Sequence, residues 1–520
     1  MRRALTELGL AFVMLALAPA SLRAAEPLDP AATEAIHDYV VDELAALGVP
    51  GAAVAVVRDD EIVYAEGFGR ADDEGRTVTP QTPFDLASVS KMLTAIAVYQ
   101  QIEAGSLELD DRVQDHLPWF GTDEPALAEV TVADLLGHTS GWTTHDGIVN
   151  ILDEDDAGDA IELNVRRLAR TAPTNERGAF EYSNANYDVL AHLVEVVTGI
   201  GFDDYLKSEV FGPLGMTHSH TSWVDAAADD AASGFYPFFG APIPYNIPFA
   251  PSGLGSGFVQ ASAEDLGRAL IMHLQDGVVG ETQVLSAESV RALQRPISRT
   301  SPWDGYAGGL WVSPLWVAGS LNVDSETTSY QVPISLEHGG DHATTATGVL
   351  ILPDEGWGVV VLMNMNDASV GSTYHQMQDG IAAILLGRQP DPTVVYEDAL
   401  SQYWKLVFVV IVALQVAGIV IALRRIRAWR RNPERRPIGS RLLAGHVLLP
   451  LIADFAVAAA AWWLVLDRND SPIPLLIRYS PDLFVALLVV TILSVGWGVL
   501  RTWLTLRSTP AEGSAAVAPA

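Results

Sequence analysis

The chain of 520 residues has no cysteine and only three lysines, Lys91, Lys207 and Lys405. Without cysteine there is no disulfide framework, no thiol nucleophile and no cysteine-ligated metal, so any exported part must be held by its core alone. Positive charge is scarce overall, with 31 Lys and Arg against 64 Asp and Glu for a net −33. It is also segregated. Residues 401–520 carry 13 Lys and Arg against 6 Asp and Glu, a net +7, which leaves about −40 on the first 400 residues. So acidic a stretch repels nucleic acid and anionic headgroups, which excludes a nucleic-acid partner, and it suits solubility in high salt.

Long apolar runs are confined to the two ends. Residues 1–25 have the layout of a secretory signal peptide: Arg2 and Arg3, an apolar run from Leu8 to Ala18, then small residues, with cleavage after Ala20 or Ala25. A short uncleaved anchor is the alternative, and either exports the next segment of the chain. The runs Leu406–Leu423, Leu442–Leu466 and Leu483–Leu500 each reach the roughly 18 to 25 residues that cross about 30 Å of hydrocarbon, so residues 406–507 read as three transmembrane helices. Between the first two lies "RRIRAWRRNPERR", 424–436, whereas the next loop has Arg468 and Arg478 against Asp467, Asp470 and Asp482. The positive-inside bias then puts the arginine loop in the cytoplasm and the bulk of the chain outside the cytoplasmic membrane. Asp454, midway along the second run, is a functional candidate by default; a protonated carboxyl hydrogen-bonded between helices is the simpler expectation.

Residues 28–390 read as one outer domain, 391–405 as a Pro-containing linker and 508–520 as a disordered tail. Helices are expected at 30–47, 185–198 and 262–275. "AAVAVVRDDEIVYAEGFG" reads as a hairpin turning at Asp59-Asp60, and "TGVLILP" followed by "GWGVVVLMN" as a second. Strands at both ends with helices between predict an α/β domain whose sheet joins the two ends of the chain. The run "DEDDAGD", 153–159, lacks the spacing of a calcium loop and reads as a solvated loop.

Chemistry concentrates in "DLASVSKMLTA", 85–95. Met92, Leu93, Ala95, Ile96, Val98, Tyr99 and Ile102 surround most of a helix that ends at Gly105, which predicts a buried helix with Lys91 inside it. Positions three apart share a helical face, so the Lys91 amine should lie over Ser88. Burial lowers a lysine pKa, leaving an amine able to take a hydroxyl proton. Ser88 is therefore a candidate nucleophile, at a helix N-terminus whose N–H groups can hold an oxyanion.

Downstream, "FEYSNANYDVLAHL" sets Tyr182 and Asn184 before an apolar helix, and "LEHGGDHATTATG" sets His338-Gly339-Gly340 before a strand pair. Ser-x-x-Lys, Tyr-x-Asn and His-x-Gly in this order resemble the serine β-lactamase and penicillin-binding-protein superfamily, in particular its class C-like esterase and D-aminopeptidase branch. "VTVADLLGHTSGW" (130–142), "PSGLGSGFVQASAEDLGRAL" (251–270) and "YAGGLWV" (306–312) extend the likeness over the outer domain. The resemblance implies a β-lactamase/DD-peptidase-like fold, an antiparallel sheet flanked by helices with a helical subdomain. It also implies an acyl-enzyme on Ser88, a proton shuttle shared by Lys91 and Tyr182, and substrate held by Asn184 and by the strand of His338, Gly340 and Asp341. The backbone N–H groups of Ser88 and Asp341 would form the oxyanion hole.

Two departures bear on substrate. His338 stands where the family's lactamases and peptidases keep a lysine, and an imidazole with a pKa near 6.5 is mostly neutral at pH 7, so carboxylate-bearing substrates lose an anchor. Asp341 would oppose an oxyanion unless its carboxylate points outward, as strand alternation allows. His218-x-His220 and His342 lack the setting of a metallo-hydrolase, so no metal and no cofactor is expected. The sequence thus predicts a membrane-anchored serine hydrolase acting on small ester, amide or D-amino-acid peptide substrates. The rival is a penicillin-recognising receptor or envelope binding protein that is acylated, or binds ligand, without turnover.

Overall fold

The computed structural model describes residues 27–148, 158–245, 247–315, 332–367, 377–390, 399–469 and 473–507. The expected signal peptide and C-terminal tail, residues 391–398 of the linker and residues 153–157 of the acidic run lie outside the described residues.

The first helix, α1 (Pro30–Leu47), has the start and stop its sequence encodes: Asp29 accepts a hydrogen bond from Ala31 N at 3.0 Å, Pro30 occupies the first turn, and Gly48 at φ 70° closes the end. The expected hairpin comes next as β1 (Gly51–Arg58) and β2 (Glu61–Gly69). Then come α2 (Ser90–Glu103) and α3 (Asn184–Thr198), the hairpin β3 (Phe235–Phe238) and β4 (Ala241–Pro244), and α4 (Ala263–Leu274). The main sheet is completed by β5 (Ser298–Arg299), β6 (Gly305–Tyr306), β7 (Trp311–Pro314), β8 (Ile334–Asp341), β9 (Ala346–Leu352) and β10 (Trp357–Met363), followed by α5 (Met377–Leu385).

Eight strands form an antiparallel sheet ordered β5-β6-β7-β8-β9-β10-β1-β2, and β1 pairs with β10 in the register Val54↔Val361. The two ends of this domain therefore meet in mid-sheet, as expected. Helices cover both faces, which is why β1 is buried along nearly all its length. Its alternation still sorts the faces: Ala52, Val54 and Val56 pack with Ile36, Val40 and Ile381 of α1 and α5, whereas Ala53, Ala55 and Val57 join the core beneath α2 and α4. That second core continues into a helical subdomain around α3 and the helix Ala160–Leu168, where Val165, Leu168, Leu190 and Val194 are buried. The turn that carries Ser88 lies between subdomain and sheet.

Past the linker, three helices are long and apolar enough to cross a membrane: Tyr403–Arg431, Gly439–Leu466 and Pro481–Leu506. The first belongs to a continuous helix from Ala399, so residues 399–405 are helical where the sequence reading expects linker. Nothing in "ALSQYWK" breaks a helix, because the nearest Gly and Pro lie upstream. Asp454 has a partner that the sequence does not suggest, Arg501 of the third helix at 2.5 Å. The carboxyl is thus hydrogen-bonded between helices, with a guanidinium of the third helix as its donor.

Candidate active site

Ser88 does not begin α2 itself. It sits in a 3₁₀ turn, Ala87–Val89, that leads into the helix, and this turn holds the spacing of three that brings Lys91 over it. Lys91 Nζ lies 3.1 Å from Ser88 Oγ, 2.8 Å from Asn184 Oδ1 and 2.7 Å from the Ser256 carbonyl oxygen. Lys91 is fully buried. Burial pushes its pKa down to about 7, against the opposing pull of the Asp188 carboxylate. Both carbonyl oxygens can only accept, so a neutral Lys91 spends its two N–H bonds on Asn184 and Ser256 and turns its lone pair to Ser88.

Asn184 is the first residue of α3, and Asp188 lies one turn further along it. Asp188 is buried, accepts a hydrogen bond from Asn164 Nδ2 at 3.1 Å, and has its pKa raised chiefly by burial, with Ser256 and Lys91 opposing. A lysine with a lowered pKa thus faces a carboxyl with a raised one. Asp188 is not among the residues expected from sequence, although its i,i+4 relation to Asn184 places it on the same helical face.

Tyr182 stands on the other side of the lysine, its ring centroid 4.9 Å from Lys91 Nζ. Burial raises its pKa, Ser88 offsets part of that push, and Asp341 adds to it. The Tyr182 hydroxyl nevertheless closes no hydrogen bond among the described residues, so the geometry makes it a loose neighbour of Ser88. His138 packs its ring, tilted by 35°, against Tyr182 at 4.5 Å and meets Tyr306 edge-on at 4.6 Å. Its Nδ1 faces Ser183 N at 3.2 Å and Asn186 Nδ2 at 2.9 Å, so it is an acceptor, and burial lowers its pKa well below the usual value. The sequence offers only the phrase "GHTSG" for it.

Strand β8 supplies the facing wall. A Cβ on Gly340 would come within 2.2 Å of the Leu86 carbonyl oxygen and of Thr347 Oγ1, so only glycine lets this strand lie against the turn that carries Ser88. The Asp341 carboxylate is on the exposed side and accepts from Asn366 Nδ2 at 3.0 Å, which is the outward orientation that alternation allows. His338 is buried, with Nδ1 2.6 Å from the Gly339 carbonyl oxygen and Nε2 3.1 Å from the Tyr306 hydroxyl. Since a carbonyl only accepts, the Gly339 contact assigns a proton to Nδ1, while Nε2 shares a hydrogen bond with a Tyr306 hydroxyl that can donate or accept.

Behind Ser88 lies a pair that the sequence does not reveal. Asp85 Oδ1 accepts from Ala87 N at 3.1 Å, and Asp85 Oδ2 meets His342 Nδ1 at 2.7 Å. Ala87 has φ 46°, a left-handed conformation that costs a non-glycine residue about 1 to 2 kcal/mol. The Asp85 contact holds that conformation next to Ser88. Elsewhere, His218 and His220 share Asp229 at 2.9 and 2.8 Å, and no group of three or more potential metal ligands occurs among the described residues.

The fold is shared with known proteins. The family model described as Beta-lactamase matches residues 36–382. Penicillin-binding protein 4 of Amycolatopsis lactamdurans is 33% identical over 260 residues, 48% of this chain and 66% of that protein, so the match spans about two thirds of the relative's length. Protein flp of Staphylococcus aureus is 25% identical over 434 residues, 81% of each chain. The octameric penicillin-binding protein homologue from Pyrococcus abyssi superposes with a TM-score of 0.56 at 24% identity, covering 69% of this chain and 79% of that one, a likeness of fold.

Proposed function

Because the chain belongs to the Beta-lactamase family, we propose that it is a membrane-anchored serine hydrolase working by acyl transfer, with Ser88 as nucleophile and Lys91 as its base. One observation carries this reading: the buried Lys91 amine, with two N–H groups directed at the carbonyls of Asn184 and Ser256, keeps its third position for Ser88 Oγ at 3.1 Å. The opposite pKa directions of Lys91 and Tyr182 divide their roles. An amine pushed down becomes a base near neutrality, whereas a phenol pushed up stays protonated and can only give its proton away.

In acylation, Ser88 Oγ bonds to the substrate carbonyl carbon while its proton passes to Lys91 Nζ. The tetrahedral oxyanion is held by the backbone N–H groups of Ser88 and Asp341. As the bond to the leaving oxygen or nitrogen breaks, Tyr182 gives that atom its proton and Lys91 restores the phenol. A water then attacks the acyl carbon by the reverse transfers and frees Ser88.

The substrate is a neutral or cationic ester or amide, which includes D-amino-acid peptides. An imidazole of ordinary pKa is mostly neutral at pH 7, so His338 anchors a carboxylate less well than a lysine would, and the outer domain is strongly acidic. The signal peptide at 1–25, the cytoplasmic arginine loop and the placement of residues 28–390 on the outer face of the membrane belong to the same proposal, supported by the three apolar helices.

The test is to treat the full chain in detergent with an active-site phosphonate, wild type beside Ser88→Ala. Turnover is then measured on nitrophenyl esters, a chromogenic cephalosporin and D-alanyl peptides. Labelling at Ser88 with turnover supports the hydrolase. Labelling or stable acylation without turnover of any substrate would instead identify a receptor.

A further inference from the structure

The short helix Ile473–Tyr479 and the start of the third apolar helix do not stand clear of the hydrolase domain. Asp482 accepts from the Tyr236 hydroxyl at 2.6 Å and from Phe239 N at 3.2 Å, which ties the start of the third helix to the β3–β4 hairpin. Phe239, at the tip of that hairpin, stacks on Phe408 of the first helix at 5.9 Å, and Lys405 reaches Asp367 at 3.3 Å. Apolar, polar and charged contacts therefore pin the near ends of these helices to one side of the hydrolase domain.

Tyr479, two residues before the third helix, goes deeper. Its ring packs on the cluster of Ile247, Ala250, Phe258 and Ala343, and its hydroxyl is buried without a partner among the described residues. Phe258 is the junction. It has φ 69°, stacks on His342 at 4.7 Å, and lies two residues after Ser256, whose carbonyl accepts from Lys91. His342 in turn meets Asp85, which holds the Ala87 turn. A residue that fixes Phe258 therefore bears on both the lysine and the serine.

We propose that the short helix Ile473–Tyr479 completes the active site, with Tyr479 as a positioning residue whose ring holds Phe258 against His342 and so keeps Ser88 and Lys91 in register. The inference rests on the reading of Ser88 as nucleophile and Lys91 as base. It gives the apolar helices a role beyond tethering: the catalytic geometry is assembled only when their near ends are docked. Small displacements of reacting groups from remote changes can lower rates by about a hundredfold, so a packing residue two contacts away can control chemistry. The hydroxyl has no part in this; the ring does the packing.

The full chain in nanodiscs is titrated with the phosphonate to count reactive Ser88 sites, and ester hydrolysis is then expressed per site. Tyr479→Ala should lower kcat per site about tenfold with little change in KM, and Tyr479→Phe should stay within about twofold of wild type. Tyr479→Leu, which keeps apolar volume should the alanine variant fail to fold, should lose about threefold per site. Tyr479→Ala combined with His342→Ala should lose less than the product of the single losses. Per-site rates of Tyr479→Ala and Tyr479→Leu equal to wild type, or losses seen only as fewer labelled sites, would overturn the inference while leaving Ser88 as nucleophile. An unlabelled wild type would remove that reading itself, and this inference with it.

Discussion

His342 Nδ1 lies 2.7 Å from Asp85 Oδ2, and both side chains are almost wholly buried, at 5% and 1% exposure. The same carboxylate takes Ala87 N–H, so one buried contact holds a left-handed residue immediately before the proposed nucleophile. Asp85→Ala removes both interactions and leaves the imidazole and an amide without partners. It should destabilise the hydrolase domain by about 2 to 4 kcal/mol, read from denaturant titrations of the full chain in detergent followed by tryptophan fluorescence. Labelling of Ser88 should slow as well; unchanged stability and unchanged labelling would contradict the clamp.

The Asp188 carboxylate pulls the Lys91 pKa upward against the larger effect of burial. Only the neutral amine is a base, so kcat/KM should rise with pH through the Lys91 pKa, about 7, and level above it. Asp188→Asn removes the upward pull, and the acid limb should move to lower pH. A limb that moves up, or stays in place, contradicts the assignment.

Tyr182 behaves in the opposite sense, because burial holds its phenol protonated. Tyr182→Phe should therefore leave the position of the acid limb unchanged and lower kcat about 10²- to 10⁴-fold, most for esters or amides with poor leaving groups. A loss equal for good and poor leaving groups would assign Tyr182 some other role.

How much of the molecule is legible in its sequence depends on the range of the interactions. Ser88 under Lys91 is readable because the 3₁₀ turn leading into α2 keeps positions three apart on one face, and Asn184 because it opens an apolar helix. The β1–β10 pairing is readable from two apolar hairpins at opposite ends of a domain. Asp188, His138 and the Asp85–His342 pair are not legible, since each is defined by contacts between distant segments: His342 lies 257 positions from its carboxylate. The third partner of Lys91 is a backbone carbonyl, at Ser256, which carries no sequence signature. Asp454 stands out as a charge within an apolar run, but Arg501 can be named as its partner only once the helices are packed.

The absence of cysteine gives the topology a clean test. With no thiol background, Arg431→Cys in the basic loop should resist a membrane-impermeant maleimide in intact cells and react after permeabilisation. The exposed Arg170 offers the counterpart on the opposite side of the membrane: Arg170→Cys should react without permeabilisation. The reverse pattern would invert the orientation.

The most direct measurement is the pH dependence of the second-order rate of phosphonate attachment to Ser88 in the full chain, wild type against Lys91→Met, between about pH 5 and 9. A neutral lysine acting on Ser88 predicts a rate that climbs through about pH 7 in the wild type and a slow, flat profile in the variant. A wild-type profile without that limb, or a Lys91→Met protein labelled as fast as the wild type, would contradict it.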